Sequence, residues 1–133
     1  MLMINEDKFN TLLLSLKYIY GLVPIAIGLD KFFFYIVNWN IYVSPTVILY
    51  LPSIITPKIV PIVGIIEIIA GIIILSKYTR FGAYLVAAWL GVVILNLLTI
   101  GGMYDIILRD IAILVGYVAF GVLTELKETA RQQ

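Results

Sequence analysis

Residues 59–75 read IVPIVGIIEIIAGIIIL, and this stretch decides the fold. It is apolar throughout except for one carboxylate, Glu67, set among isoleucines. Its Pro61 falls where a first helical turn tolerates proline. A helix that crosses a bilayer needs roughly 20 largely apolar residues, and this run is a short candidate for one. An ionisable group at such a place is costly, so Glu67 is a functional-site hypothesis from the outset.

Working outward, three further runs have the same character. Residues 12–35 have length to spare and carry Pro24 between Gly21 and Gly28, where a kink or a local opening is expected. Residues 81–100 are closed by Gly101 and Gly102, and residues 106–123 are preceded by Asp105, a suitable N-cap. A polar tail, 124–133, extends the last helix into water. Residues 38–57 are apolar too, but Pro45, Pro52 and Pro57 cut them into pieces too short to span. Irregular backbone cannot face lipid directly. This segment is therefore expected to be interfacial or re-entrant, with Trp39, Tyr42 and Tyr50 at headgroup level.

Composition agrees. Of 133 residues, 62% are hydrophobic and 13% charged, with mean hydropathy +1.09. Soluble domains carry about 25% charged residues. The expected architecture is a single-domain, all-α integral membrane four-helix bundle. The opening Asn5, Glu6, Asp7 and Lys8 make a poor basic region for a signal peptide, so the first helix is read as retained.

Net charge is +1, which gives a nucleic-acid partner no electrostatic support. Cysteine and histidine are both absent, which excludes thiolate and imidazole ligation by this chain. No metal site is assigned. Electron transfer would need a bound quinone or flavin, or a partner chain. The flank with both termini and the 76–80 loop holds six basic residues, Lys8, Lys17, Lys77, Arg80, Lys127 and Arg131. The opposite flank holds three, Lys31, Lys58 and Arg109. The positive-inside rule then puts both termini in the cytoplasm.

With that topology the charged groups gather at one depth. Asp30 and Lys31 fall near the outer end of the first helix, and Glu67 lies about 12 Å below the outer start of the second. Asn96 is about one turn from the outer end of the third, and Arg109 and Asp110 open the fourth. Gly64, Glu67 and Gly71 share a helix face that a neighbour can approach closely. Pairing of Asp30 with Lys31 or Arg109, and of Glu67 with Arg109 or Lys31, would neutralise most of the charge. Tyr20, Tyr35 and Tyr104 are available as donors. The competing reading of these groups is structural: helix-end charges fix register, and Asn96 hydrogen-bonds between helices.

The same residues carry a family resemblance. Gly28-Leu29-Asp30-Lys31-Phe32 resembles the G-x-D-K-F/L signature of DoxX-like membrane proteins. The run from Gly64 through Glu67 to Gly71 resembles that family's G-x-x-E-x-x-x-G second helix, and Arg109–Leu114 its K/R-D-L-A-L-L opening of the fourth. The resemblance implies a small four-helix bundle of a bacterial or archaeal inner (plasma) membrane, linked to quinone or sulfur redox as a subunit among others. Family members often carry a histidine in the third helix where this chain has Asn96. The expected function is a small subunit of a redox complex, with Glu67, Asp30, Lys31, Arg109, Asp110 and Asn96 as its candidate site. A non-enzymatic scaffold or assembly factor is the alternative. The expected partners are the lipid bilayer, other membrane or redox subunits, and a second copy of the chain.

Overall fold

A computed structural model describes residues 5–132. Five α-helices follow in order: α1 (Glu6–Phe33), α2 (Pro45–Tyr50), α3 (Ile59–Leu75), α4 (Thr79–Ile100) and α5 (Tyr104–Gln132). All but α2 are long and apolar enough to cross a membrane, the third span being counted from Thr56. The chain is an all-α four-helix bundle and reads as a multi-pass membrane protein.

The helix ends differ in places from those expected from hydropathy. α1 starts at Glu6 rather than residue 12, because Asn5 caps it by accepting from the Asp7 and Lys8 N–H groups at 3.1 and 3.2 Å. Acidic Glu6 and Asp7 also suit the positive end of the helix dipole. Hydropathy locates a span; a cap extends the helix beyond it. α1 runs through Pro24 and stops at Phe33, since Phe34 turns left-handed with φ 57°. α5 begins at Tyr104, so Asp105 lies in its first turn instead of at the cap. The 124–132 portion of the polar tail continues α5 as helix. Gly101 and Gly102, with φ 81° and 75°, make the α4–α5 turn in a region that other residues rarely enter.

Two helix pairs form the bundle, α1 with α3 and α4 with α5, and they meet each other more sparingly. The α1–α3 seam is antiparallel and set by two glycine couples. A Cβ on Gly28 would stand 2.6 Å from the Gly64 carbonyl oxygen, and one on Gly71 would stand 2.5 Å from that of Gly21. Backbones this close gain dispersion contacts that lipid cannot replace.

The buried apolar cluster, including Ala70, Ile74, Val86, Tyr117 and Phe120, lies toward the end of the bundle that holds the chain termini. The opposite end is crossed by residues 34–58, a strap with no charged residue between Lys31 and Lys58. It consists of α2, two 3₁₀ turns at Trp39–Tyr42 and Thr56–Lys58, and irregular backbone. Leu49 and Tyr50 are more than four-fifths exposed on it. Four-helix packing thus puts the buried apolar cluster toward one end and the buried charged groups Asp30, Lys31 and Asp110 toward the other, the end that the strap crosses.

Candidate functional site: an ion pair beneath the strap

Lys31 and Glu67 form the centre of the site. The Lys31 Nζ lies 2.6 Å from Glu67 Oε2, with side-chain exposures of 7% and 17%. The glycine seam makes this possible. A Cβ on Gly64 would sit 3.1 Å from the Lys31 Cβ, so the lysine stem occupies space that only a glycine leaves free. The pair is therefore built by α1 and α3 at one of their two close glycine approaches. The Lys31 bond engages Oε2 of Glu67 and not Oε1.

Trp39 closes the site from the strap side. The Lys31 ammonium stands 3.8 Å from the centre of the Trp39 ring system, a cation–π contact of about 2 kcal/mol in a desolvated setting. The same indole donates from Nε1 to Asp30 Oδ2 at 2.7 Å. Asp30 also accepts from the Tyr35 N–H at 2.9 Å and the Ile36 N–H at 3.0 Å. A carboxylate in the last turn of a helix opposes the helix dipole. Here three donors offset that cost, and the left-handed Phe34 swings the chain so that they face it. Asp30 thus pins the start of the strap and does not pair with Lys31 or Arg109.

Asn96 pins the strap further on. Its side-chain N–H group donates to the Tyr42 carbonyl at 2.6 Å, and its Oδ1 accepts from the Ser44 N–H at 3.1 Å. Thr99 donates to the fully buried Ser44 hydroxyl at 2.6 Å. Sequence reasoning expected Asn96 to bridge helices. It fastens the strap to α4, because the proline-broken segment folds back and leaves its own N–H and C=O groups in need of partners.

Arg109 and Asp110 stand apart from this centre. Asp110 is buried and accepts from Arg109 Nε and Nη2, both at 3.2 Å, while the Arg109 side chain is 65% exposed. Arg109 does not reach Glu67 or Asp30. The six candidate residues therefore divide into the Lys31–Glu67 pair, two strap anchors and a separate pair of chain neighbours. Tyr35 and Tyr104 point outward, whereas Tyr20 packs on Tyr117, whose hydroxyl donates to the Tyr20 carbonyl at 2.9 Å.

Two tryptophans belong to the site and were missed as such. Trp39 was read as a headgroup aromatic, yet its indole turns inward. Trp89 of α4 lies beside the Glu67 carboxylate, and its buried Nε1–H interacts with that carboxylate without reaching full hydrogen-bond geometry with any described residue. A signal for Trp39 existed: its spacing of eight or nine residues past Asp30-Lys31 suits a short reversal. Nothing in the local sequence marks Trp89. No group of acidic side chains among the described residues is placed to hold a metal ion.

No family model, characterised protein or solved structure matches the chain.

Proposed function

We propose that this protein is a small DoxX-like subunit of a quinone- or sulfur-linked redox complex in a bacterial or archaeal plasma membrane. In this reading both termini are cytoplasmic, the strap lies at the outer interface, and Lys31, Glu67 and Trp89 form the polar site. One observation carries the proposal. Beneath the strap the Trp89 Nε1–H faces the Glu67 carboxylate without reaching full hydrogen-bond geometry, and the Lys31 bond engages Oε2 of that carboxylate and not Oε1. Buried polar groups are nearly always paired. An indole donor and a carboxylate acceptor that face each other without a full bond suit a lipid-soluble ligand whose carbonyl or hydroxyl group completes the pairing of both.

A quinone fits this description in both redox states. Its carbonyl accepts from Trp89, and its quinol hydroxyl donates to Glu67. Lys31 then holds the carboxylate in place and balances its charge. With neither cysteine nor histidine, the chain contributes binding and proton handling, and a partner subunit supplies the electron carrier.

The test is thermal unfolding of the purified protein with a short-chain quinone, beside Glu67→Gln. A quinone-dependent rise in Tm that is weakened in the variant supports the site. An unchanged Tm in both argues for the scaffold reading. That second reading has its own support, because Lys31 already has an anionic partner in Glu67 and an aromatic one in Trp39 within the chain.

A further inference from the structure

Between α3 and α4 runs a groove of about 330 Å³, lined mainly by Ile66, Ile69, Ala70, Ala88, Trp89 and Val92. We propose that this groove holds an acyl chain of a bilayer lipid, which acts as a structural filler between the two helix pairs. This site goes beyond the proposed redox role and stands without it.

Position comes first. Ile66–Ala70 lie midway along α3, and Ala88–Val92 lie near the middle of α4, so the groove opens at the depth of the membrane interior. Chemistry comes second. Every lining side chain is apolar apart from the Trp89 N–H, which is buried beside the Glu67 carboxylate. Water gains nothing there, since apolar cavities even of 150 Å³ stay dry. Left empty, the walls would lose their dispersion contacts on one side. Its rim is continuous with the lipid-facing surface: Ile69 and Val92 are each more than half exposed. Small side chains make the hollow, with Ala70 buried as its floor and Ala88 exposed at its edge. A flexible hydrocarbon chain is the one occupant that the surroundings supply in that shape.

The groove also falls where the bundle needs a filler. Toward the chain termini α3 and α4 touch directly, a Cβ on Gly82 meeting Ile74 at 2.7 Å. At the other end Asn96 ties α4 to the strap. Between these two fastenings the groove runs along the lipid side of the α3–α4 boundary, and an acyl chain there completes the packing.

The experiment uses the full chain in vesicles of phosphatidylcholine, plain or with bromine at mid-chain. In the Trp39→Phe background Trp89 is the only indole, and Ala88→Leu or Val92→Phe fills the groove from its rim. The proposal expects strong quenching of Trp89 by brominated lipid, reduced by at least half in either filled variant. It also expects the protein with native Trp39 to lose thermal stability on delipidation in detergent, and its Ala88→Leu form to lose less. Quenching undiminished by both substitutions overturns the proposal, as does equal loss on delipidation. Neither readout involves quinone, so failure here leaves the Glu67 site untouched, and failure there leaves the groove untouched.

Discussion

Lys31 and Glu67, separated by 36 positions in the chain, meet at 2.6 Å beside the close Gly28–Gly64 approach of α1 and α3. Gly28 and Gly64 permit that approach, and Trp39 roofs it. The ion pair, the glycine seam and the strap are one construction, and each part can be tested separately.

Removing one partner of the pair should cost far more than removing both. Lys31→Met leaves a buried carboxylate without its cation, a change worth about 3–5 kcal/mol. Lys31→Met with Glu67→Met replaces the pair by apolar groups of similar size and should unfold close to the native protein. Unfolding in detergent measures all three. A double variant as unstable as the single would show that the charges themselves stabilise the bundle.

At the seam, Gly64→Ala places a Cβ 2.6 Å from the Gly28 carbonyl oxygen. The backbones must move apart, at a cost of about 1–3 kcal/mol. Gly91→Ala provides the contrast, since its nearest neighbour would be a Leu114 methyl at 4.0 Å. It should be neutral or stabilising by up to about 1 kcal/mol, the usual gain of alanine over glycine within a helix. Comparable losses in both would contradict the seam.

Asn96→Ala removes the acceptor of the Ser44 N–H and the donor to the Tyr42 carbonyl. Each group left without a partner costs about 1–3 kcal/mol. Because the strap is fastened at two places, the change should appear as faster hydrogen exchange across residues 42–50, with α1 and α3 little altered.

Asp30→Ala releases the other fastening. Exchange should quicken at the Tyr35 and Ile36 amides, and the Trp39 indole should lose its acceptor. A blue- or red-shifted Trp39 emission, read in a Trp89→Phe background, reports the change in its surroundings. An unaltered spectrum would mean that the strap is held by other contacts.

Much of the fold was legible in the sequence because it follows from length and polarity. The α3 range matches its apolar run at both ends, since Lys58 and Ser76 bound it on either side. α1 and α5 extend past their apolar runs, as capping and polar helix continuation leave no mark in hydropathy. Glycine spacing on α3 pointed to a close neighbour, and the structure supplies it in α1. The site was less legible. Depth alone gathered Asp30, Lys31, Glu67, Asn96, Arg109 and Asp110, but depth carries no azimuth. Lys31 faces α3, whereas Arg109 turns outward beside Asp110. The roles of Trp39 and Trp89 depend on how the strap folds back and how α4 rotates, and both are tertiary facts.

The most direct test uses the Lys31→Met, Glu67→Met double variant, in which fold and function separate. It should melt near the native temperature and show no rise in Tm with a short-chain quinone, while the native protein does. A double variant that responds to quinone as the native protein does would contradict the assignment of Lys31 and Glu67 as the site.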